Sequence, residues 1–229
     1  ERNFSKDSDG LLQFAELTDL IKFDRTSFNL AVKTEIEKDV KDITYKCITK
    51  LFEEIVSVIE TGSRPIGGVG NLTSGILSLG GEHIDNRSGY INLSEPKYVP
   101  IEFYEKANKG KLKKGDLLIC KDGALTGKVA IVRDELGEQK AMINEHVFIV
   151  RCKNETTQNY LYVFLYSSLG QDSLKSNITG SAQGGLNRSN LAKIKIPFPT
   201  DIVQQKIVTE CQNIDAEALE AKKQIIELQ

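Results

Sequence analysis

The sequence predicts an α/β (α+β) fold, and three observations point to it. Five short runs rich in Ile, Leu and Val (ILSLG, GYINL, DLLIC, KVAIV and HVFIVRC) lie between residues 76 and 152, separated by Gly, Asn, Asp or Pro. That is the texture of short strands joined by turns. Helical periodicity flanks the block on both sides. A heptad seam closes the chain, so a long C-terminal coiled-coil helix is expected beyond the β-rich frame.

The elements follow in order. Residues 1–30 are mixed and carry no clear period. From Thr34 to Ile59, Ile36, Val40, Ile43, Cys47, Leu51 and Ile55 recur at steps of three or four, with Glu and Lys between them. This spacing predicts a helix, which should stop near Thr61-Gly62 because Arg64-Pro65 cannot continue it. GSRPIGGVGNLTSG then holds five glycines between 62 and 75. It is too long for a hairpin turn and reads as an ordered binding loop.

Inside the β block, YVPIEFYEKANKGKL reads as a small helix or irregular segment ending in a lysine-rich turn. Residues 157–175, TQNYLYVFLYSSLGQDSLK, read as helix because their apolar positions wrap around rather than alternate. A second polar glycine loop, TGSAQGGLNRSN, and a short apolar run, LAKIKIPFP, lead to the last helix. There Ile207, Cys211, Ile214, Ala218, Ala221, Ile225 and Leu228 are spaced 4-3-4-3-4-3. Such a seam needs a surface to bury it: the N-terminal helix, another segment of a parent protein, or a second copy. An ordinary amphipathic helix lying on its own domain is the alternative.

Composition narrows the function classes. With 229 residues, 40% hydrophobic and 27% charged, the chain can bury a sizeable core. No window approaches 18 consecutive apolar residues and no signal-peptide pattern is present, so no membrane role is expected. The opening residues, ERNFSKDSDG, look like a cut inside a longer protein. Cys47, Cys120, Cys152 and Cys211 lie far apart, without a CxxC and with only two histidines in the chain. A metal site, a cofactor or a disulfide framework is therefore not expected; buried thiols in a reducing, cytoplasmic compartment are. The net charge of −2 argues against a strongly basic nucleic-acid binder, but the charge is uneven. Residues 97–128 hold eight lysines (97, 106, 109, 111, 113, 114, 121 and 128) against Glu102, Glu105, Asp116 and Asp122. Such a segment meets phosphates or forms a solvated loop face, and charge alone leaves both open.

The stretch GDLLICKDGALTGKVAIV (115–132) has some look of a phosphate cradle. A P-loop needs G-x-x-x-x-G-K-[ST]. Counting back from Gly127-Lys128, the first glycine position is Asp122, and the hydroxyl position is Val129. An acid beside the phosphates and a missing Mg²⁺ ligand both exclude the motif. There is no H-E-x-x-H, no G-x-G-x-x-G in register, and no Pro-Pro of the kind an amino-methyltransferase uses to grip its target amine. No catalytic residue emerges.

Two polar glycine-rich loops remain. GSRPIGGVGN contributes Arg64 and Asn71; TGSAQGGLNRSN contributes Ser181, Gln183, Asn187, Arg188 and Asn190. Arg, Asn and Gln carry the paired donors and acceptors that match guanine and adenine edges in the major groove, and glycine permits close approach. An ordinary surface loop is the competing interpretation, with Asn187 or Ser189 capping a helix.

Taken together, these stretches resemble the specificity (S) subunits of type I restriction–modification systems. GDLLICKDGALTGKVAIV is similar to the family's G-D-L-L-hydrophobic…G…G-K-hydrophobic stretch. FEEIVSVIETGSRPIGG resembles the start of its target recognition domains, and SGILSLGGEHIDNRSGYI the first strand pair. GLNRSNLAKIKIPFPTDIVQQKIV resembles the family's ending, where Pro197, Pro199, Gln204 and Ile207 match position by position and Asp201 replaces the usual leucine. The resemblance covers residues 47–229. It implies a twisted mixed β-sheet recognition domain over 47–200 and a coiled-coil conserved-region helix over 201–229. Residues 1–46 would be a linker or helical segment, or the tail of a fused methyltransferase.

The resemblance further implies sequence-specific double-stranded DNA recognition, non-catalytic by itself, within an adenine methyltransferase/endonuclease complex. Its implied partners are duplex DNA, a methyltransferase subunit or fused methyltransferase domain, a restriction subunit, and a second recognition domain or second copy through the coiled coil. Arg64, Asn71, Ser181, Gln183, Asn187 and Arg188 are the candidates for base edges. Lys109, Lys111, Lys113, Lys114, Lys121, Thr126 and Lys128 are those for phosphates. Ile207, Cys211, Ile214, Ala218, Ala221, Ile225 and Leu228 are those for the coiled-coil partner. A protein–protein assembly module that binds no DNA is the alternative from another class.

Overall fold

The computed structural model describes residues 21–23, 30–32, 47–69, 72–86, 88–179 and 184–227. It divides into two units, 1–45 and 46–229. In the first unit, strands β1 (Ile21–Phe23) and β2 (Leu30–Val32) pair antiparallel, Lys22 opposite Ala31. The described parts of this segment are thus strand, not helix.

The second unit is built on a four-stranded antiparallel sheet ordered β10-β9-β12-β4. Its strands are β4 (Val56–Thr61), β9 (Leu117–Cys120), β10 (Val129–Ile131) and β12 (Val147–Cys152). A three-stranded sheet, β11-β5-β8, packs beside it. It consists of β5 (Ile76–Leu79), β8 (Tyr98–Val99) and β11 (Ala141–Ile143), and β11 runs parallel to β5. The short hairpin β6 (Ile84–Asp85) with β7 (Tyr90–Ile91) completes the β block, and the one and a half turns of α2 (Ile101–Lys106) follow β8. Parallel and antiparallel pairs together make the expected mixed sheet structure.

The apolar strand runs are continuous because the central strands are covered on both faces. Leu117, Ile119, Val129, Ile131, Phe148 and Val150 point to one face, where they meet Leu161 and Leu165 of helix α3 (Glu155–Tyr166) and Leu174 of α4 (Ser168–Lys175). Leu118, Cys120, Ala130, Val147 and Ile149 point to the other face, against Leu77, Leu79 and Ile143 of the second sheet. The expected helix over 157–175 is therefore two helices. Ser167 breaks it with an extended backbone, donating its hydroxyl to the Phe164 carbonyl at 2.6 Å and accepting from the Gly170 amide. A Cβ on Gly170 would lie 2.0 Å from the Phe164 oxygen, so the tight break requires glycine there.

The helix expected over 34–59 is overturned in its second half. Residues 49–61 form β3 (Thr49–Leu51), a single turn α1 (Phe52–Ile55), and β4. VSVIET is rich in β-branched residues, and its backbone pairs with β12, Ile59 opposite Val150. Of the anticipated apolar face, Ile55 is buried and Cys47 and Leu51 are half-buried, while the turn also buries Phe52, which the helical spacing did not include. Residues 34–46 lie outside the described set. Strand β11 carries no pattern of its own in the sequence; it exists because β5 offers an edge.

The chain returns through α5 (Arg188–Ala192) and β13 (Lys195–Pro197), which pairs with β3. Tyr160 donates its hydroxyl to the Pro197 carbonyl at 2.7 Å and so ties that return to α3. The long helix α6 (Asp201–Glu227) then leaves the domain. Its first turns dock on α3 through buried Gln204 and Val208, and Gln204 also donates to the Pro199 carbonyl at 2.9 Å. Among the described residues no helix is long and apolar enough to cross a membrane.

Candidate nucleic-acid interface

The sheet register fixes which loops share an end. Val147 sits opposite Cys120, Phe148 opposite Thr61, and Val129 opposite Ile119. The segments after Thr61, after Cys120, before Val129 and before Val147 therefore all emerge at the same end of the four-stranded sheet.

The 115–132 stretch is a hairpin, in which β9 and β10 pair antiparallel. Gly127 donates its amide to the Cys120 carbonyl at 2.8 Å, and Lys128 donates to Leu125 at 3.1 Å. These amides are consumed within the turn, so they are not arranged around an empty phosphate position. Gly123 and Gly127 both have positive φ, which lets the turn fold back this tightly. Burial pushes the Cys120 thiol beneath it up to about 11.

The two glycine loops of the C-terminal half are joined here. The Leu186 amide donates to the Lys121 carbonyl at 2.6 Å. Thr126 donates its hydroxyl to the Gly123 carbonyl at 2.6 Å, with the Gly184 carbonyl 3.2 Å away. Thr179 and Gly185 bridge each other across the base of the second loop. A groove of about 610 Å³ opens beside this junction, lined by Lys109, Lys121, Asn187 and Arg188 together with Glu60, Asp122 and Phe148. Three cations thus share the groove with two carboxylates. The Lys121 ammonium lies 5.8 Å from the Phe148 ring centroid and 3.5 Å from Asp122 Oδ2.

A chain of polar side-chain contacts links the groove to the first glycine loop. Asp122 Oδ1 lies 2.5 Å from His146 Nδ1, His146 Nε2 lies 3.4 Å from Glu145 Oε1, and Glu145 Oε1 lies 2.6 Å from Arg64 Nε. Each member is partly exposed, so each pair contributes about 0–1 kcal/mol and acts mainly to orient its neighbours. The 62–69 loop is also seated by backbone packing, since a Cβ on Gly62 would lie 1.6 Å from the Ile143 carbonyl oxygen.

The structure thus brings Lys109, Lys121, Asn187 and Arg188 to one groove and places Arg64 on the same rim. Asn187 accepts the Asn190 amide at 2.8 Å and caps α5, the competing reading of that residue; its side chain is also exposed in the groove. Thr126 is committed to loop carbonyls, and Lys128 donates to the Ile84 carbonyl at 3.3 Å. The lysine run is split. Lys113 and Lys114 precede β9 and lie at the opposite end of the sheet, where a second groove of about 720 Å³ runs toward α6. Lys114 pairs there with Asp134 at 2.5 Å. Lys111 lines neither groove; it bridges Met142 of the second sheet, with its ammonium 4.7 Å from the Tyr104 ring. Asn71, Ser181 and Gln183 lie outside the described residues.

Sequence reasoning missed Glu60, Asp122, Glu145 and His146. No local pattern marks them, because strand register, not spacing, makes them neighbours. In the second groove, buried Asp116 receives Arg151 through two hydrogen bonds, from Nε at 2.6 Å and Nη2 at 2.7 Å. Arg151 Nη1 also reaches Glu60 at 3.0 Å, and these carboxylates hold its guanidinium pKa above the usual value despite its partial burial. This cluster braces β4, β9 and β12 against one another.

On the long helix, the heptad seam divides. Ile207 and Cys211 are half-buried on the chain's own domain, whereas Ile214 is 57% exposed and Ala218 and Ala221 are exposed. Leu228 and the side chain of Ile225 lie outside the described set.

Comparison with known proteins agrees with this architecture. A chain from the structural work on complex assembly and conformational transition of the type I R-M system superposes with a TM-score of 0.58 at 17% identity, covering 82% of this chain and 43% of that one. The HsdS subunit from Thermoanaerobacter tengcongensis gives a TM-score of 0.53 at 17% identity, with coverages of 80% and 40%. The type IIG restriction endonuclease BpuSI gives 0.51 at 12% identity, with coverages of 72% and 26%. The chain therefore spans less than half the length of these solved relatives, and at such identities the likeness establishes the fold. No curated protein matches the sequence. The family model for the type I restriction modification DNA specificity domain matches residues 61–228, which include the hairpin, the groove's cations and the long helix, and the chain belongs to that family.

Proposed function

We propose that residues 47–200 form a target recognition domain that reads duplex DNA, and that residues 201–229 form the helix connecting it to the rest of a restriction–modification complex. The observation that carries this reading is the groove at one end of the sheet. There Lys121, Asn187 and Arg188, on two joined glycine loops, meet Lys109 from the segment after α2, within a chain of the specificity-domain family. Phosphate contacts by Lys109 and Lys121 would set position on the duplex, and Arg188, Asn187 and Arg64 would read base edges. The domain has no catalytic role in this scheme. Base modification belongs to a methyltransferase subunit or fused methyltransferase domain, and cleavage to a restriction subunit.

The exposed half of the α6 seam supports a second interaction. Ile214, Ala218 and Ala221 suit a helix from a second recognition domain or a second copy. The cytoplasm, where such complexes meet chromosomal DNA, is the compartment that fits. Mapping methylated adenines in cells with and without the parent gene tests the whole proposal. A recurring motif lost with the gene is expected. An unchanged methylation map, together with salt-independent or absent binding to duplex DNA, would favour the assembly-module alternative.

A further inference from the structure

The first glycine loop carries an apolar tip with no role in the fold. Ile66 is fully exposed, at 107% of its reference area, more than any other exposed large hydrophobic residue among those described. Isolated surface hydrophobics are common, but this one is held outward by a built turn. The Gly68 amide donates to the Pro65 carbonyl at 2.9 Å, and Gly67 takes φ +86° at the third position, the geometry of a type II turn with Ile66 at its second position. A Cβ at Gly67 or Gly68 would meet nothing within 4 Å, so the tip stands clear of the domain.

Both flanks of the turn are seated. Gly62 is wedged against the Ile143 carbonyl, Arg64 is paired with Glu145, and Val69 packs on the Ile76, Val99 and Met142 cluster. The tip therefore projects from the same end of the sheet that bears the Lys109–Lys121–Arg188 groove, and Arg64 at its base is linked to that groove through Glu145, His146 and Asp122.

We infer that Ile66 is a specificity-determining residue that contacts the 5-methyl group of a thymine in the recognised half-site. The inference rests on the DNA-recognition reading above. Its chemical basis is that the thymine methyl is the apolar group among the base edges of the major groove. A branched aliphatic side chain has no hydrogen bond to offer there and can discriminate only through that methyl. Prepaid ordering of the turn keeps the contact from costing loop entropy on binding.

The test uses the complete protein with its methyltransferase partner and two randomised duplex libraries, one synthesised with thymine and one with uracil in its place. Wild-type protein should enrich one motif from both libraries, with the preference at one T·A position about tenfold weaker in the uracil library. Ile66→Ala and Ile66→Ser should erase that difference while retaining the remainder of the motif, and neither should alter folding because the side chain is exposed. A motif that is identical in both libraries and unchanged by either variant overturns the thymine contact but leaves DNA reading intact. A variant that weakens both libraries equally also overturns it. If wild-type protein enriches nothing, the DNA-recognition reading fails and the contact with it.

Discussion

The backbone amide of Leu186 donates to the carbonyl of Lys121 at 2.6 Å, across 65 residues of sequence. This bond joins the β9–β10 hairpin to the loop that leads into α5, and it places Lys121 beside Arg188. Gly185 makes the approach possible, since a Cβ there would already lie 3.2 Å from the Lys121 oxygen. Gly185→Val should push the two loops apart. We expect about 1–3 kcal/mol of overpacking cost and a loss of duplex affinity larger than that of any single lysine variant. Urea denaturation and fluorescence anisotropy on the same samples separate the two effects.

Lys121 and Arg188 should report different parts of recognition. Lys121→Ala is expected to weaken binding evenly across sequences and lower the salt slope by about 1. Arg188→Ala should cost about 1–3 kcal/mol at one position and relax the motif there. Binding isotherms over a salt series, with cognate and scrambled duplexes, provide both readouts. An even loss with Arg188→Ala would remove it from the base-reading set.

Asn187 has two candidate roles that one substitution pair distinguishes. Its side-chain oxygen caps α5 by accepting from Asn190. Asn187→Ser retains a good cap, whereas Asn187→Ala should cost about 1 kcal/mol of stability. Both variants remove the amide. If Asn187 reads a base, both lose discrimination while only the alanine variant loses stability, as thermal melts and motif selection would show.

Arg151 is the counter-ion of a carboxylate that has almost no solvent. Arg151→Met leaves Asp116 buried and unpaired and removes the link to Glu60. The expected destabilisation is about 3 kcal/mol, measurable as a lower urea midpoint. Replacing Asp116 as well, with Asn, should recover part of the loss because no isolated charge then remains.

Alkaline pH should destabilise the domain through its buried thiols. Burial pushes Cys120 up to about 11 and Cys152 up to about 12, from an ordinary value of 9.0. Both thiols stay protonated in the folded state at pH values where an unfolded chain has released its protons. Their contribution is therefore complete below about pH 9 and is lost as pH rises toward 11–12. At pH 10 the loss should be ~1 kcal/mol per thiol. Urea midpoints from pH 7.5 to 10.5 should fall accordingly, and Cys152→Ala should flatten the curve.

Local chemistry was legible wherever one segment decided its own structure. The hairpin at 115–132 follows from apolar runs bounding a glycine turn, and the P-loop was excluded by Asp122 and Val129 alone. Asn187 as an N-cap, the small helix after Pro100 and the long helix after Pro199 were equally readable. The 49–61 stretch was not, because Leu51 and Ile55 satisfy helical spacing while the β-branched VSVIET segment finds its hydrogen bonds on β12. Ser167 split one expected helix into two for a similar reason, its side chain competing for the backbone groups of both ends.

By itself the sequence determined the α/β class, the strand-forming runs, the two glycine loops, the heptad seam and the family resemblance. Each depends on periodicity or composition within a few turns of chain. Only the tertiary structure decided which cations share a surface. It set Lys109 and Lys121 beside Arg188, sent Lys113 and Lys114 to the opposite end of the sheet, and wired Arg64 to Asp122 through Glu145 and His146. It also divided the seam, covering Ile207 and exposing Ile214. The physical reason is strand register: antiparallel pairing between segments tens of residues apart fixes which loops emerge together, and no local pattern encodes that distance.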